Sequence, residues 1–229
     1  MGDVGRLVAS GRDGDIYEYG PGLVLRRSKH GRVIEPEARA MLYAAEQGYP
    51  VPHVREVRAG GTEILMERLE GPMMMDVLAR RPHTIGHHAR LLADLHDRLH
   101  QIPGPDWLPG LGAGGGQLLH LDLHPMNVMM TKRGPVVIDW TNAARGDPLL
   151  DVGMTYVLLT CPRMPLPSLL RASLQPLRVA MARLFVHRYR GPELDRWTAE
   201  AAQLKALDSN LFPDEVRRCE RLAVRLMAR

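Results

Sequence analysis

The chain has 229 residues, of which 45% are hydrophobic and 24% are charged, a composition that is ordinary for a globular protein with a sizeable core. No apolar run approaches the roughly 20 residues of a membrane helix. With only two cysteines, Cys161 and Cys219, neither a disulfide framework nor a four-cysteine zinc site is available. The net charge of +4 is unevenly distributed, because residues 154–229 hold 13 of the 30 basic residues and 7 of the 26 acidic ones.

The first part of the chain predicts a small α+β region. Residues 4–27 favour short strands, since β-forming residues flank the Gly-containing turn SGRDGD. The segment from Pro36 to Gly48 predicts a helix, with proline in its first turn and glycine at its end. The two prolines of YPVPHV make the following segment extended, and TEILMERLEG predicts a strand that ends in a turn.

Beyond Gly71 the periodicity is that of helices. The stretch HTIGHHARLLADLHDRLHQI places apolar residues three and four positions apart, which is typical of one buried helix face. Three further helices are predicted, over residues 168–190, 193–208 and 213–229.

The helix that contains HDRLH raises the question of a zinc site. His96 and His100 would lie on one helical face, but Asp97 stands where the zinc-protease motif has Glu. The alternative is that both histidines are hydrogen-bonded within the core. The sequence leaves both interpretations open.

The segments NVMM and VVID predict the two strands of a hairpin. Pairing Val128 with Ile138 centres the turn on Arg133 and places Asn127 directly opposite Asp139, with Cβ atoms about 5 Å apart. The amide and carboxylate oxygens of these two residues suit Mg²⁺ better than zinc. The hairpin therefore predicts a magnesium site at one of its ends.

An aspartate precedes this hairpin at a characteristic distance. Asp122 lies five residues before Asn127, which is the D-x-x-x-x-N spacing of kinase catalytic loops. From such a position it could orient an attacking hydroxyl or accept its proton. The simpler alternative is that Asp122 and Asn127 cap the loop.

These residues resemble a known family. The motif HLDLHPMNVMM, followed by GPVVIDWTNAARGDPLLDVG, is similar to the signature of the aminoglycoside phosphotransferase (APH) family of kinase-like enzymes, relatives of choline and homoserine kinases. The resemblance extends over most of the chain, through the segments LVLRR, EPEARAMLYAAEQGYPVPHV, EILMERLEG and LLADLHDRLH. It implies an α+β, bilobal, protein-kinase-like fold. Residues 1–70 would form a nucleotide-binding lobe with a β-sheet and one helix, and residues 71–229 a mainly helical lobe with the catalytic hairpin and substrate-binding helices.

The resemblance also implies roles for individual residues. Asp122 would be catalytic, with His120 as its structural neighbour, and Asn127 and Asp139 would bind Mg²⁺. Asp147 and Asp151 are expected to anchor the segment after VVIDW. The residues implied in ATP binding are Ser10, Gly11 and Gly14 of the phosphate-covering turn, Arg26 with its partner Glu37, and the main-chain groups of Glu67 and Leu69.

One departure from the family concerns the phosphate-binding cation. Lysine is usual where this chain has Arg26, although only Lys29, Lys132 and Lys205 are lysines among its 30 basic residues. Arginine binds phosphate well, but its planar fork is not interchangeable with an ammonium group. The alternative to an active enzyme is therefore a catalytically weak pseudokinase that binds nucleotide and acts as a binding or regulatory module.

The predicted function is ATP-dependent transfer of the γ-phosphate to a hydroxyl of a small molecule, such as an aminoglycoside-like antibiotic, a sugar or another metabolite. The basic excess in residues 154–229 favours a neutral or anionic acceptor over a polycation. Because aromatic residues make up only 5% and nucleic-acid motifs are missing, nucleic acid is not expected as a partner. No membrane partner is expected, and the absence of a secretory signal pattern predicts a cytoplasmic location. The oligomeric state is left open.

Overall fold

The computed structural model of the chain describes residues 3–112, 115–163 and 168–228. The chain divides into two compact units. The first comprises Met1–Met73 and Asn127–Ala143, and the second comprises Met74–Met126 and Ala144–Arg229. The predicted mixed α+β fold, with a β-sheet in the first part and helices in the second, is confirmed.

The first unit is built on a five-stranded antiparallel sheet in the order β1-β2-β3-β5-β4. The described residues of this unit form one α-helix, α1, which separates β3 from β4 in sequence and contacts β4 and β5. The elements are β1 (Val4–Ser10), β2 (Gly14–Tyr19), β3 (Leu23–Ser28), α1 (Glu35–Glu46), β4 (Val54–Arg58) and β5 (Glu63–Glu67).

Helix α1 forms where the sequence predicted it. Pro36 lies in its first turn, where its missing N–H costs nothing, and Gly48 follows its end with a positive φ of 75°. Ala38, Met41 and Ala44 repeat every third residue and are almost fully buried, so one face of the helix packs into the core.

The predicted hairpin consists of β7 (Val128–Thr131) and β8 (Gly134–Val137), and its predicted register is wrong by one residue. Val128 pairs with Val137, and Thr131 pairs with Gly134, so that only two residues form the turn. The Thr131 hydroxyl donates to the Gly134 carbonyl at 2.7 Å, which closes this tighter connection. Asn127 consequently lies opposite Ile138 rather than Asp139, and the Ile138 N–H donates to the Asn127 carbonyl at 3.0 Å.

The hairpin belongs to the first unit because its outer backbone groups bond there. The Met130 N–H donates to the Pro72 carbonyl, and the Val137 N–H donates to the Pro50 carbonyl, each at 2.8 Å. The Arg133 guanidinium also reaches the Glu67 carboxylate at 2.7 Å. The division by contacts therefore differs from the sequence division after residue 70, which placed the hairpin with the C-terminal part.

The second unit is mainly helical, with one two-stranded ladder. Its elements are α2 (Met74–Arg80), α3 (Ile85–Leu99), β6 (Gln117–Leu119), β9 (Ala144–Gly146), α4 (Pro148–Thr160), α5 (Ser168–Val186), α6 (Pro192–Ala206) and α7 (Pro213–Met227). Strands β6 and β9 pair antiparallel. Among the described residues, no helix is long and apolar enough to cross a lipid bilayer.

Helix α4 occupies the centre of the second unit, and the sequence pattern did not reveal it. Its sequence, PLLDVGMTYVLLT, is apolar on nearly all sides, so it lacks the alternation of buried and exposed faces that marks a surface helix. It packs closely on α6 at Gly153, where an added Cβ would lie 2.8 Å from the Thr198 Cα. A glycine is therefore required at this crossing.

Candidate functional site

A buried ion pair links the sheet of the first unit to helix α1. Arg26 projects from β3, and its Nη2 atom lies 2.9 Å from Oε2 of Glu37 in the first turns of α1. The two side chains are only 14% and 4% exposed. The Arg26 Nε atom is buried and has no hydrogen-bond partner among the described residues. The guanidinium thus holds Glu37 with one nitrogen and keeps donors for a further anion.

Thr141 and Asp139 extend this ion pair. The Thr141 hydroxyl lies 2.8 Å from Oδ1 of Asp139 and 3.2 Å from Oε2 of Glu37, and it accepts a hydrogen bond from Arg26 at 3.3 Å. Arg26 also lies 3.9 Å from Oδ1 of Asp139. Sequence reasoning placed Arg26, Glu37 and Asp139 in the site but missed Thr141, because nothing in its local pattern marks a hydroxyl that joins three distant residues.

Burial dominates the ionisation of Glu37. It raises the pKa of this carboxyl from 4.5 to about 7, against the opposing attraction of Arg26 and with a further contribution from the negative charge of Asp139. Because the folded chain holds a proton that the unfolded chain releases, the stability provided by neutral Glu37 is present below pH 4.5 and is lost as the pH rises through about 7.

This linkage predicts a difference in pH dependence between wild type and Glu37→Gln. As the pH rises from about 5 to about 8, wild type should lose unfolding free energy relative to the variant, whose amide does not titrate. Urea denaturation across this range measures the difference. Glu35→Gln, an exposed residue of the same helix, is the matched control and should follow wild type. Parallel curves for wild type and Glu37→Gln would contradict the raised pKa.

The turn between β1 and β2 contains the predicted phosphate-covering residues and an unpredicted lysine. The Gly11 N–H donates to the Gly14 carbonyl at 2.9 Å, so this N–H is used within the turn. The Nζ atom of Lys29 lies 2.7 Å from the Gly11 carbonyl, 3.0 Å from the Ser10 hydroxyl and 3.2 Å from Oδ1 of Asp15. The turn therefore carries a cation that sequence reasoning did not include.

The predicted adenine-binding segment follows β5. The Glu67 N–H donates to the His53 carbonyl at 2.9 Å, and the next N–H, from Arg68, donates to the Gly22 carbonyl. The main-chain groups of Leu69 make no hydrogen bond within the described part of the chain. Leu69 is therefore able to offer backbone groups to a ligand.

The donor set of the predicted metal site fits magnesium. Asp139, two residues after the end of β8, has a φ of 64°, so its side chain does not follow the face that a regular strand would give it. It is 41% exposed, and its Oδ2 atom has no hydrogen bond among the described residues. Asn127 adds a buried amide. Hard oxygen donors of this kind are those that Mg²⁺ prefers.

Asp122 lies in the second unit, in a loop that two histidines brace. The Asp122 N–H donates to Nδ1 of the fully buried His120 at 3.2 Å. His124 lies with its Nε2 atom 3.6 Å from Oδ1 of Asp122, and its Nδ1 atom accepts from the Met126 N–H at 3.2 Å. The Asp122 side chain remains 21% exposed. His120 thus holds the backbone of Asp122, His124 lies beside its carboxylate, and the side chain still reaches solvent.

Asp151 anchors this loop, and not the segment after VVIDW as the sequence predicted. Its fully buried carboxylate accepts from the N–H groups of His120 and Leu121 at 3.1 and 2.7 Å and from Nε2 of His100 at 3.0 Å. Leu121 has a φ of 59°, a strained conformation for leucine that these bonds hold in place. Asp147 instead caps α4 by accepting from the Leu149 N–H at 2.8 Å.

His96 of α3 and His100, which follows the end of this helix, are hydrogen-bonded within the second unit. The ring nitrogens of His96 bond to the Leu92 carbonyl at 2.8 Å and the Thr155 hydroxyl at 2.9 Å, and burial lowers the pKa of His96 from 6.5 to about 4. His100 bonds to Asp151. In the part of the chain that the structure describes, no three His, Cys, Asp or Glu residues are grouped to hold a metal ion.

Comparisons with solved structures agree on the fold. A choline/ethanolamine kinase family protein from Mesorhizobium loti is 17% identical, with a TM-score of 0.64 over 98% of this chain and 92% of that chain. The aminoglycoside phosphotransferase APH(4)-Ia is 14% identical, with a TM-score of 0.67 over 99% and 93%. A thermostable mutant of APH(4)-Ia in ternary complex with AMP-PNP and hygromycin B is 14% identical, with a TM-score of 0.69 over 100% and 94%.

The sequence comparisons give the family. Among curated protein sequences, none matches this chain. The family model described as "Phosphotransferase enzyme family" (APH) matches residues 4–114 and 106–184, which is most of the chain. The resemblance first seen in HLDLHPMNVMM is therefore confirmed, and the chain belongs to the APH phosphotransferase family.

Proposed function

We propose that the protein transfers the γ-phosphate of ATP to a hydroxyl group of a small molecule. The observation that carries this proposal is the buried ion pair of Arg26 and Glu37, with Asp139 3.9 Å from the same guanidinium. The Nε atom of Arg26 has no hydrogen-bond partner among the described residues and is a donor that a ligand could use. A guanidinium fixed by a carboxylate beside an oxygen-donating metal ligand is an arrangement suited to binding a metal-bound triphosphate.

In this mechanism the protein contributes position and charge more than covalent chemistry. Arg26 binds phosphate oxygens, and Glu37 and Thr141 keep its guanidinium in place. Asn127 and Asp139 would hold Mg²⁺, which would neutralise part of the phosphate charge. Asp122 orients the acceptor hydroxyl and takes up its proton as the new bond forms.

Binding of ATP is supported by the residues of the first unit and by similar proteins. The main-chain groups of Leu69 lack partners in the described chain, and Lys29 adds a cation at the turn that carries Ser10, Gly11 and Gly14. The solved structure of APH(2")-IIa contains ATP and streptomycin, and it is 15% identical to this chain with a TM-score of 0.62. We propose ATP and Mg²⁺ as the cofactors of this chain as well.

The acceptor is proposed to be a small neutral or anionic molecule with a hydroxyl group. Ternary complexes of the similar proteins APH(4)-Ia and APH(2")-IIa contain hygromycin B and streptomycin, respectively. In this chain, residues 154–229 contain 13 basic residues against 7 acidic ones, a balance that opposes binding of a polycation. Sugars and other hydroxylated metabolites fit this charge better than aminoglycosides do.

Arg26 is the residue on which the pseudokinase alternative depends, and its replacement tests nucleotide binding directly. Arg26→Gln should raise the Kd for Mg-ATP by at least about tenfold, because charge-assisted hydrogen bonds to phosphate are lost. The fold should tolerate the change, since Glu37 can take up a proton when its partner is removed. Isothermal titration calorimetry measures the effect.

The neighbouring residue Arg27 provides the matched control. It bonds to Glu63 at 2.7 Å and is 44% exposed, so Arg27→Gln removes an arginine from the same strand without touching Glu37. Its Kd for Mg-ATP should stay close to that of wild type. Equal losses in both variants, or no loss in Arg26→Gln, would contradict the role of Arg26.

The function itself is tested by a screen for acceptor-dependent release of ADP. Purified protein, ATP and Mg²⁺ are incubated with a panel of sugars, nucleosides, amino alcohols and aminoglycosides, with an Asp122 variant as the blank. A compound that stimulates ADP release only with intact Asp122 identifies the acceptor class. Tight ATP binding without turnover on any compound would instead favour the pseudokinase.

A further inference from the structure

The second unit contains a cavity of about 300 Å³ whose lining is rich in arginine. It lies where the end of α4 meets α5 and α7. This volume is at the lower end of the range for small-molecule sites. Apart from Ala172, the residues that line the cavity are Thr160, Pro162, Arg163, Gln175, Arg178 and Arg218.

Arg178 is the most buried of these arginines and has only neutral hydrogen-bond partners. It is 5% exposed. Its Nη2 atom donates to the carbonyls of Leu158 and Pro162 at 3.0 and 2.9 Å, and Nη1 donates to Oε1 of Gln175 at 3.2 Å. Among the described residues, no carboxylate lies within ion-pair distance of Arg178. The negative charge of Glu215 acts on Arg178 only from beyond ion-pair distance. An anion in the cavity would therefore give this buried guanidinium a direct partner of opposite charge.

The other two arginines are only partly neutralised. Arg163 and Arg218 share the carboxylate of Asp214, at 2.7 and 3.1 Å. Glu215 lies 3.9 Å from Arg218. Its two carboxylate oxygens accept hydrogen bonds from the backbone N–H groups of Arg163 and Phe212.

The guanidinium groups of Arg163, Arg178 and Arg218 therefore carry three positive charges, whereas the carboxylates of Asp214 and Glu215 carry two negative ones. One guanidinium nitrogen in the described part of the chain also makes no hydrogen bond. The Nη2 atom of Arg218 is buried, makes no hydrogen bond among the described residues and lies 3.9 Å from Oε1 of Glu215. A buried donor that makes no hydrogen bond costs free energy.

The cavity is separate from the proposed catalytic residue. Asp151 binds the loop of Asp122, whereas Thr160 lines the cavity nine residues further along α4. At about 1.5 Å per residue, this places the cavity roughly 14 Å from that anchor along the helix axis. An anion bound in this cavity would therefore be an additional ligand. It would not be the acceptor whose hydroxyl oxygen attacks ATP.

We propose that this cavity binds a phosphate group, either free inorganic phosphate or the phosphate of a small monoester. The three guanidinium groups come from three different segments, so they can approach a tetrahedral anion from several sides. A planar carboxylate would offer only two oxygens to them. Arginine is also the side chain whose paired N–H groups match phosphate oxygens best.

Calorimetric titration of the full chain with inorganic phosphate, in chloride buffer at constant ionic strength, tests the proposal. Arg218→Gln should raise the Kd for phosphate by at least about tenfold, since it removes a charged donor. Arg163→Gln, in which the replaced side chain is 44% exposed and the fold is less at risk, should also weaken binding. Arg217→Gln, the exposed neighbour on the same helix, should bind as wild type does.

A second ligand, glycerol 3-phosphate, separates the two sources of the phosphate. Glycerol 3-phosphate binding more tightly than inorganic phosphate, with the same loss in Arg218→Gln, would identify a monoester site. The reverse order would identify a site for free phosphate. Failure of wild type to bind either compound would overturn the proposal. Equal binding by wild type, Arg163→Gln and Arg218→Gln would also overturn it, because the anion would then lie elsewhere, for example near Arg26.

Discussion

Replacement of Asp122 by Asn is expected to lower the rate of phosphoryl transfer by about 100- to 10,000-fold, the usual contribution of a positioned acid–base group. The amide keeps the size of the side chain but cannot accept the hydroxyl proton. Binding of Mg-ATP should change little, because the proposed nucleotide contacts of Arg26, Glu37 and Asp139 are intact. Initial rates of ADP release with an acceptor, together with the Kd for Mg-ATP, measure both effects.

The control for this prediction is Asp106→Asn. Asp106 belongs to the same unit and is 96% exposed, where it pairs with Arg145 at 3.1 Å. Its replacement should leave the rate close to that of wild type. Turnover by Asp122→Asn at more than a tenth of the wild-type rate would contradict a catalytic role and would favour the simpler interpretation, in which Asp122 caps its loop.

Replacement of Asp151 by Ala should have the largest effect on stability, about 3–5 kcal/mol in the free energy of unfolding. The change leaves the buried N–H groups of His120 and Leu121 and the ring of His100 without their acceptor. Although burial opposes ionisation, the hydrogen bond from His100 and the neighbouring histidines hold the pKa of Asp151 well below its usual range.

Urea denaturation near neutral pH measures this loss. At that pH the contribution of ionised Asp151 is fully present, because a carboxyl with a lowered pKa loses its contribution only as the pH falls below its unfolded pKa of 3.8. Asp147→Ala, four residues earlier, removes only the N-cap of α4 and should cost about 1 kcal/mol. Equal destabilisation by the two variants would show that Asp151 does not anchor the loop.

Local spacing was the part of the site that the sequence predicted well. The D-x-x-x-x-N motif, the helix from Pro36 and the two apolar hairpin strands depend on residues close in sequence. They were sufficient to indicate the fold and the family. The roles of Asp122, Asn127 and Asp139 stay predictions, because spacing identifies candidates and does not measure chemistry.

The hairpin register shows where local reasoning failed. The sequence was compatible with a three-residue and with a two-residue turn. In the folded chain the turn has two residues, and the Thr131 hydroxyl bonds across it. Because of this error of one residue, the predicted cross-strand neighbour of Asn127 was Asp139, whereas the observed one is Ile138. A positive φ at Asp139, which no strand pattern contains, then sets the direction of its carboxylate.

Long-range contacts were the other features that could not be predicted. Thr141 meets Arg26 and Glu37 across 115 and 104 positions of the chain. Asp151 was expected to brace the segment after VVIDW, yet its partners lie 30 and 31 positions earlier. Nothing in one sequence records such pairs, because many carboxylates and hydroxyls are equally suitable partners until the chain is folded.

The most direct test of the proposed phosphotransferase is to measure both products of the reaction with the acceptor that the screen identifies. The account predicts that ADP and a phosphate monoester of the acceptor form in equal amounts, as determined by chromatography and mass spectrometry, and that both disappear in Asp122→Asn. Formation of ADP and free phosphate without any ester would contradict it, because ATP would then be hydrolysed by water and no group would be transferred.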